Sequence, residues 1–394
     1  MSLRILHVSP YYEAAWAYGG IPRVVAALTR AMHRQGHRVT VCTTDAHDDT
    51  SRLPVASTRG AAPEGPDVHV FPNASNRLAY GCQLFLPLGL RAFVRAHAAD
   101  YDIAHVHACR NLPGSLAARA LARAGVPYVL APNGTAPRLE RRRTAKALYD
   151  RLLGRRDLEN AARLLAVTCA ERRQLVALGV EEHRVHVVPN PVELEEHERP
   201  ATPGAFRRRL GLGDGPLVLF LGRLSPRKRV DVLIRATASL SAGDSRLVIA
   251  GSDMGAGGTA RRLVAALALG DRTRFCGVLR HRERLEALTD ATVVVYPAEH
   301  EIFGLVPVEA LLCGTPVIVA GDSGCGEVIG DVGGGLIVAP GDVSGLAAAI
   351  DAVLRNPGAW RSRVATAAPS VRARFGADTV ASQVADLYHE ILAS

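Results

Sequence analysis

The sequence predicts an α/β protein with two parallel sheets, each in a domain of its own. The first observation is that short apolar, β-branched runs alternate with segments of helical period along the whole chain. This alternation is typical of parallel strands joined by right-handed helical crossovers. The second observation is a polar, Pro- and Gly-rich break at Glu193–Gly215, between two strand patterns. Together with the length of 394 residues, this break predicts a linker between two domains.

Seven strands are predicted before the break and six after it. The first seven are Leu3–Val8, Arg38–Thr43, Val68–Phe71, Ile103–His107, Pro127–Ala131, Leu164–Thr168 and Val185–Val188. The other six are Leu217–Leu221, Arg246–Ala250, Arg274–Gly277, Thr292–Tyr296, Pro316–Ala320 and Leu336–Val338. Helical patterns include Pro22–Gln35, Leu84–His97 and the last segment, Gly376–Ser394. Surface loops or disorder are predicted at His47–Pro66 and Ser252–Gly258.

The composition predicts a globular cytoplasmic protein, with 48% hydrophobic and 22% charged residues. The first residues lack the long apolar run of a signal peptide, and we see no apolar stretch long enough to span a membrane. The seven cysteines are scattered and odd in number. They predict reduced, mostly buried thiols.

The formal net charge of the chain is +9, and part of it is concentrated at residues 138–156. This segment has seven arginines, one lysine and two carboxylates, a net charge of +6. One interpretation is a solvated Arg-rich helix. The other is a patch that binds anionic lipid or a phosphate-bearing substrate, which would put the protein at the inner face of the membrane. Nucleic acid is not expected as a partner, because the segment has few aromatic residues to stack on bases.

Two carboxylates bracket the segment E-I-F-G-L-V-P-V-E, from Glu301 to Glu309. A predicted strand precedes it, and its second half has a helical pattern. Glu301 and Phe303–Gly304 are therefore expected in a loop at the carboxyl end of a strand, where open α/β sheets bind ligands. Glu309 is expected about one turn into the next helix, whose amino end favours anions.

A basic loop follows the first strand of the second half, in F-L-G-R-L-S-P-R-K-R. Arg223 and Lys228 emerge there, one with a planar fork of donors and one with a point charge. Together they suit a diphosphate leaving group, whose negative charge grows as its bond breaks. The alternative is an exposed basic loop without a ligand.

Three further features carry weaker signals. Gly19-Gly20 precedes a helix and permits close approach of a ligand, although a tight turn explains it as well. Asp100 and Asp102 form a D-x-D pair, which more simply precedes a strand than binds metal. His105 and His107 share one face of that strand, and two histidines make a poor metal site. His107 either lines the cleft or is a satisfied histidine of the sheet.

With these segments the chain resembles the retaining glycosyltransferases of family 4. The resemblance runs nearly from end to end and rests on G-G-I-P-R-V-V-A-A-L-T-R-A-M-H-R-Q-G-H-R-V-T-V, D-I-A-H-V-H, V-V-P-N-P-V, F-L-G-R-L-S-P-R-K-R-V-D-V-L-I-R-A and H-E-I-F-G-L-V-P-V-E-A-L-L-C-G-T-P-V-I-V-A. The last two are specific in combination. The resemblance implies the GT-B fold, in which two Rossmann-like domains face each other across a cleft. It implies an acceptor domain at 1–195, joined by a C-terminal helix at 376–394, and a donor domain at 196–375.

The resemblance also implies roles for matching residues. Arg223 and Lys228 would hold the donor diphosphate, Glu309 the nucleotide ribose and Glu301 the hydroxyls of the donor sugar. Backbone N–H groups would help to hold sugar and phosphate at Phe303, Gly304 and Leu305.

Other implied contacts lie elsewhere in the chain. Gly20, beside Gly19, would approach the donor phosphate, and the base would lie near Val278. Many members have a histidine close to the donor sugar where this chain has Asn133. Asparagine donates and accepts hydrogen bonds but cannot titrate. Asn133 can therefore position the sugar but cannot act as an acid or base. A second departure is D-S-G-C-G-E at 322–327, where a Gly-Gly-x-x-Glu pattern is common.

The activity implied is transfer of a hexose-type sugar from a UDP- or GDP-linked donor to an acceptor hydroxyl, with retention and without a metal or other cofactor. The acceptor would be a glycan, a lipid-linked glycan or a small molecule, as in bacterial polysaccharide, lipopolysaccharide or glycolipid assembly. The enzymatic alternatives are a nucleotide-sugar epimerase and a sugar phosphorylase of the same fold. The non-enzymatic alternative is a nucleotide- or sugar-binding protein or a membrane scaffold.

Overall fold

The structure is a computed structural model that describes residues 2–48, 50–53, 65–138, 143–198 and 201–394, without the side chain of His281. By its internal contacts the chain forms two units, Met1–Val192 with Ala377–Ser394, and Glu193–Gly376. The domain boundaries expected from the sequence, 195/196 and 375/376, lie within three residues of these. Most of the predicted loop at His47–Pro66 lies outside the described residues.

A seven-stranded parallel sheet runs through the first unit. Its strands are β1 (Arg4–Val8), β2 (Arg38–Thr44), β3 (Asp67–Phe71), β4 (Ile103–His107), β5 (Tyr128–Ala131), β6 (Arg163–Ala166) and β7 (Val185–Val187). Their order is β3-β2-β1-β4-β5-β6-β7, and every neighbouring pair is parallel. The order reverses between β1 and β4, and open α/β sheets bind ligands beyond the carboxyl ends of strands at such a point.

A six-stranded parallel sheet runs through the second unit. Its strands are β8 (Leu217–Leu221), β9 (Arg246–Ala250), β10 (Thr273–Gly277), β11 (Val293–Tyr296), β12 (Val317–Ala320) and β13 (Gly335–Val338). Their order is β10-β9-β8-β11-β12-β13, with the reversal between β8 and β11. Every strand predicted from the sequence is present in one of the two sheets, with ends that differ by at most two residues. The predicted α/β class with two Rossmann-like sheets is therefore confirmed.

Helices connect the strands. In the first unit they are α1 (Ile21–Arg34), α2 (Asn76–Cys82), α3 (Leu90–His97), α4 (Leu112–Ala124), α5 (Arg143–Tyr149), α6 (Arg155–Asn160) and α7 (Cys169–Ala177). In the second they are α8 (Glu195–Glu198), α9 (Ala205–Leu210), α10 (Val230–Ala238), α11 (Gly257–Ala266), α12 (His281–Asp290), α13 (Leu305–Leu312), α14 (Gly324–Val332), α15 (Val343–Arg355) and α16 (Pro357–Phe375). Across the described ranges, no helix is long and apolar enough to cross a membrane.

The last helix, α17 (Ala377–Ala393), belongs to the first unit. Its Val380, Val384 and Tyr388 pack with apolar residues of α1 and of the strands in one buried cluster. The apolar positions seen in the sequence of this segment therefore cover one face of the first sheet.

The helix predicted at Leu84–His97 is wrong in its first half, because α3 begins only at Leu90. Residues 86–88 pair with the chain after β3 instead: Ala74 N–H donates to Leu86 O, and Leu88 N–H donates to Pro72 O. Gly89 then takes a left-handed φ of 87°, which favours glycine and sets the start of the helix.

The polar stretch Glu193–Gly215 is more than a linker, because it folds as part of the second unit. It contains α8 and α9, and Phe206 of α9 is completely buried. The carboxylate of Asp290 accepts hydrogen bonds from the N–H groups of Gly204, Phe206 and Arg207 at the start of α9. Apolar burial and this cap stabilise a segment whose composition indicated a loop.

The predicted loop at Ser252–Gly258 is also partly wrong, because α11 begins at Gly257. The carboxylate of Asp253 accepts hydrogen bonds from Gly255 N–H and Gly257 N–H, which orders the turn before this helix.

The cysteines are free, as predicted, but most of them are not fully buried. Only Cys42 and Cys325 are buried, Cys169 is exposed, and the other four are half-buried. Cys169 is exposed because it begins α7 on the solvent side of the first turn.

Candidate functional site

The loop between β11 and α13 presents Glu301 at the carboxyl end of the second sheet. Its backbone is held by the start of α14: Cys325 N–H and Ser323 Oγ both donate to Glu301 O, each at 2.8 Å. Gly304 has a φ of 79°, and a Cβ there would lie 2.5 Å from Cys325 Sγ. The loop therefore needs glycine at 304 both for its backbone and for its neighbour.

Two predicted site residues flank Gly304. Phe303 is buried and meets the ring of Phe375 edge-on, with centroids 5.4 Å apart. Leu305 is the first residue of α13, so its N–H group lies at a helix start. Helix starts favour anions, although this helix has only eight residues.

Lys228 contacts Glu301 directly. Lys228 ends the short 3-10 turn Pro226–Lys228, and only 8% of it is exposed. Its Nζ donates to Glu301 Oε2 at 2.5 Å and to the phenolic oxygen of Tyr296 at 2.5 Å. Two residues predicted to serve one donor, 73 positions apart in the sequence, thus form one partly buried ion pair.

Several positive groups keep Glu301 ionised. Burial by itself would raise the pKa of this carboxyl, but the charges of Lys228, Arg227 and Arg223 lower it below its usual value. Burial lowers the pKa of Lys228, and the charge of Glu301 opposes that effect. Arg223, which follows β8, therefore faces the same carboxylate as Lys228 does. The site has more positive than negative charge, as binding of a diphosphate requires.

Glu309 is placed differently from the expectation of an open ribose contact. It lies in α13, is completely buried, and accepts a hydrogen bond from the guanidinium of Arg284 in α12. Arg284 also donates to Glu196 of α8, at 2.7 Å. The side of α13 that carries Glu309 faces α12 in this structure, so its carboxylate contacts Arg284. A ribose contact stays a prediction.

A cavity of about 240 Å³ lies at the carboxyl ends of β8, β9 and β10. Val278, predicted to lie near the base, lines it and is 44% exposed. Arg261 lies over the ring of Phe275 at 4.2 Å, and both residues also line the cavity. Backbone and apolar surface with few polar groups are typical of a small-molecule pocket.

In the first unit, Gly19 and Gly20 connect the 3-10 turn Trp16–Tyr18 to α1. Gly19 takes a φ of 101°, and Gly20 caps α1 with ordinary helical angles. Only Gly19 therefore needs to be glycine for its backbone. The predicted approach of Gly20 to a phosphate is not tested by this geometry.

Asn133 lies in the turn after β5, with a left-handed φ of 51°. Its Nδ2 donates to Ala131 O at 3.3 Å, while its buried Oδ1 has no partner in the described part of the chain. The turn is held by Glu171 of α7, which accepts from Gly134 N–H at 2.6 Å and from Val167 N–H at 2.9 Å. Burial raises the pKa of Glu171 to about 7.

His107 does not line a surface, because only 1% of it is exposed. It lies on the face of β4 that α17 covers, with His105 and with His7 of β1. His7 Nδ1 and His107 Nε2 are hydrogen-bonded at 3.0 Å, and His105 Nδ1 bonds the hydroxyl of Tyr388 at 2.6 Å. Of the two interpretations of His107, the structure supports a histidine of the sheet and contradicts a residue that lines a cleft.

These three histidines bring possible metal-ligand atoms within 4.8 Å of one another. Their rings, however, are nearly parallel, with interplanar angles of 13° to 30°. Imidazole lone pairs lie in the ring planes, so nearly parallel rings do not converge on one ion. We therefore interpret the cluster as a buried, uncharged layer between strand and helix.

The basic segment forms α5, a π-helical turn at Asp150–Gly154, and α6, with residues 139–142 outside the described part. Asp150 binds two arginines: Arg110 after β4, at 2.7 Å, and Arg138 after β5, at 2.8 Å. Leu148 and Leu152 are each 58% exposed on the same helical stretch. Charge and exposed apolar surface therefore occur together here.

Sequence reasoning missed Tyr296, Arg284, Glu171 and Asp150. Tyr296 had a signal, since it is the last residue of a predicted strand at the ligand-binding end of the sheet. Arg284 had none, because its segment H-R-E-R-L-E-A-L-T-D is typical of a solvated helix. Its contacts depend on tertiary packing.

Comparisons with known proteins agree with this arrangement. Two family models match, "Glycosyltransferase Family 4" over residues 18–196 and "Glycosyl transferases group 1" over residues 205–371. The fold is similar to that of the solved Anabaena HepE with UDP-glucose, with a TM-score of 0.76, 21% identity and coverage of 98% of this chain and all of the other.

Curated relatives are more similar in sequence. A D-inositol 3-phosphate glycosyltransferase of Frankia alni is 36% identical over 78% of this chain and 80% of its own length. One from Acidothermus cellulolyticus is 33% identical over 95% of this chain and 86% of its own length. The chain therefore belongs to glycosyltransferase family 4.

Proposed function

We propose that this glycosyltransferase moves a sugar from a UDP-linked donor to an acceptor hydroxyl with retention of configuration. The observation that carries the proposal is the partly buried contact of Lys228 with Glu301 beside Arg223, at the same sheet edge as the cavity lined by Val278. A cationic group and a carboxylate side by side suit a diphosphate and the hydroxyls of its sugar. Uracil is favoured because the similar HepE structure contains UDP-glucose.

The roles follow from this placement. Lys228 and Arg223 hold the diphosphate, and Glu301 accepts hydrogen bonds from the donor sugar, with Phe303, Gly304 and Leu305 at the start of α13 supplying N–H groups. The base lies against Val278, and Glu309 takes the ribose hydroxyls. Gly20 and Asn133 of the first unit keep their predicted roles toward phosphate and sugar.

The reaction is a front-face substitution. The bond between the anomeric carbon and the diphosphate oxygen breaks, and the acceptor oxygen bonds the same face of that carbon. The departing phosphate oxygen takes the acceptor proton, while Lys228 and Arg223 stabilise the growing negative charge. We expect turnover without added metal. Proton NMR of the product would show an inverted anomer if retention is wrong, and loss of turnover after chelation would refute metal independence.

We infer that the acceptor carries a phosphate, because the curated relatives are named for D-inositol 3-phosphate. Arg110 and Arg138 share the carboxylate of Asp150 beyond the ends of β4 and β5, and so leave excess positive charge at that edge. An Arg138→Gln variant should raise the KM of a phosphorylated cyclitol and leave the KM of UDP-glucose unchanged. Equal use of the free cyclitol and its phosphate would contradict this acceptor.

The second candidate acceptor is a lipid-linked glycan at an anionic membrane, as in polysaccharide, lipopolysaccharide or glycolipid assembly. The exposed Leu148 and Leu152 beside the arginines of α5 and α6 favour it. Vesicles with anionic lipid should then bind the protein, and binding should weaken in high salt. A Leu148→Ser, Leu152→Ser variant should lose this binding. Binding that depends on neither lipid charge nor salt would exclude it.

The proposed function is tested by nucleotide release from a panel of UDP- and GDP-sugars, with and without the phosphorylated cyclitol. UDP release that depends on the acceptor supports transfer. Conversion of the donor sugar without an acceptor would indicate an epimerase, and consumption of free phosphate would indicate a phosphorylase. Binding without turnover of any donor would indicate a binding protein.

A further inference from the structure

Tyr296 ends the central strand β11 and lies beneath the candidate donor site. It is 5% exposed, and its ring is nearly parallel to that of Phe220 in β8, with an interplanar angle of 13° and centroids 6.1 Å apart. The ring is therefore fixed by the sheet, and its hydroxyl group reaches out of the sheet at the strand end.

The hydroxyl contacts Lys228. A lysine ammonium has three N–H donors and no acceptor, so the phenolic oxygen must accept this bond. Lys228 Nζ lies 2.5 Å from this oxygen and 4.6 Å from the centre of the Tyr296 ring, so the ammonium group sits at the hydroxyl end of the ring. Tyr296 therefore binds the ammonium group through its oxygen.

The geometry of an ammonium group then determines where its last donor points. One N–H of Lys228 goes to Tyr296 and one to Glu301 Oε2. Among the described residues, Lys228 has no third acceptor. Because the three N–H bonds are tetrahedral, fixing two of them fixes the direction of the third.

We propose that Tyr296 is a positioning residue that, with Glu301, directs the remaining N–H of Lys228 to the donor diphosphate. This inference rests on the proposed function, because the diphosphate is the group that Lys228 serves there. Without the phenolic oxygen, the ammonium would keep only Glu301 as a fixed partner. It could then turn toward that carboxylate and away from the diphosphate.

A hydrogen-bond acceptor at this place also favours the charged form of the ammonium group. The hydroxyl of Tyr296 stays protonated, because burial and the charge of Glu301 raise its pKa far above the usual value. The ionisable groups that face Lys228 and Tyr296 from the surrounding loops and helices are Glu301, Arg223, Arg227 and Cys325. Of these, Glu301 favours the charged ammonium, and the arginines oppose it.

The test is Tyr296→Phe, which keeps the ring and its stacking on Phe220 and removes only the hydroxyl. The matched control is Tyr128→Phe in the first unit, which removes the hydroxyl of another buried tyrosine, hydrogen-bonded to Asp157 O at 2.7 Å. Initial rates with UDP-glucose and a phosphorylated cyclitol are measured from pH 6 to 10. Titration with UDP gives the fraction of protein that is folded and active.

We expect kcat/KM for UDP-glucose to fall by roughly 10- to 100-fold in Tyr296→Phe, as for loss of a hydrogen bond to a charged group. We also expect the loss of activity on the alkaline side to begin at lower pH, because the ammonium loses an acceptor. Tyr128→Phe should change neither value. A Tyr296→Phe enzyme whose rate and pH profile match those of Tyr128→Phe would overturn the inference. If the unaltered enzyme turns over no UDP-sugar, the proposed function itself fails.

Discussion

Lys228 is one of only two lysines in a chain with 47 basic residues, and only 8% of it is exposed. Arginine spreads its charge over a planar fork, whereas lysine concentrates it on one atom with three tetrahedral donors. That geometry lets Tyr296 and Glu301 fix two donors and leave one for a ligand. In the proposed mechanism, the planar fork of Arg223 binds the diphosphate beside this single donor of Lys228.

Lys228→Ala tests the charge on which the proposed mechanism depends. Removing one donor to a developing negative charge should lower turnover by about 100- to 1000-fold, as for an oxyanion-hole donor. The measurement is kcat with UDP-glucose and an excess of acceptor. Arg235→Ala, at an exposed position of α10, is the control and should retain normal turnover. Near-normal turnover of Lys228→Ala would refute the proposed role.

Arg284→Met tests the buried ion pair between Arg284 and Glu309, the residue predicted to contact the ribose. Because Glu309 is completely buried, removing the guanidinium that is paired with it should destabilise the second unit by about 3–5 kcal/mol. The measurement is the free energy of unfolding in urea. Arg282→Met, at a side chain 68% exposed on the same helix, should change it little.

A double variant makes this test specific. Adding Glu309→Gln to Arg284→Met removes the buried charge and should restore much of the lost stability. If the double variant is as unstable as the single one, packing of Arg284 rather than its charge is what matters.

At the scale of elements, the segment between β11 and α13 decides where Glu301 lies. Helix α14 holds it by two hydrogen bonds to one carbonyl oxygen. Gly304 has no side chain and therefore permits close contact with Cys325. Helix α13 begins at the next residue, Leu305. The position of the carboxylate thus depends on two helices and on one residue without a side chain.

Gly304→Ala should displace this segment. It combines a left-handed φ with a methyl group 2.5 Å from Cys325 Sγ. The backbone effect alone should cost about 1–3 kcal/mol. Gly314→Ala is a matched control, because Gly314 has a φ of 78° but nothing within 4 Å of the added methyl group. Both variants should lose stability, but only Gly304→Ala should weaken UDP-glucose binding, measured by calorimetry. Equal affinities in the two variants would contradict this account.

The same scale shows what the sequence could and could not predict. Periodic apolar runs identified every strand, because burial in a parallel sheet selects for them along the chain. The start of α3 and the short helices in Glu193–Gly215 were missed, since they depend on Gly89, on pairing with residues 72–74 and on the carboxylate of Asp290. Asp290 and residues 72–74 are separated in the sequence from the segments they hold, whereas Gly89 directly precedes α3.

Residues of the candidate site were predictable to the extent that they lie at strand ends. Glu301, Arg223 and Lys228 were named for that reason, and the structure brings Lys228 and Glu301 into contact. Tyr296 and Arg284 were missed because each acts through a partner that only folding brings near. For His107 the sequence left open a cleft residue or a histidine of the sheet, and packing of α17 buries it. Strand position alone does not say which face a helix will cover.

At the scale of the whole molecule, the buried histidines of the first unit should make it sensitive to acid. Burial lowers the pKa of His105 to about 3 and lowers those of His7 and His107 well below the usual value. A group whose folded pKa is depressed in this way favours folding only when neutral. Its contribution is complete above the unfolded pKa of about 6.5 and is lost as pH falls below it.

As pH falls from 7 to 5, each such histidine should lower the free energy of unfolding by about 2 kcal/mol. The measurement is the free energy of unfolding of the first unit, obtained from urea titrations at the two pH values. His105→Gln should reduce the dependence, and His183→Gln, at a side chain 73% exposed, should not. Stability that is unchanged down to pH 5 would contradict the buried, uncharged cluster.

The central claim is that Lys228, held by Tyr296 and Glu301, binds the diphosphate of a UDP-sugar. A crystal structure with UDP-glucose tests it most directly. We predict a phosphate oxygen about 2.7–2.9 Å from Lys228 Nζ, with the base against Val278 and the sugar on Glu301. A diphosphate bound elsewhere, with Lys228 still contacting only Tyr296 and Glu301, would contradict the account.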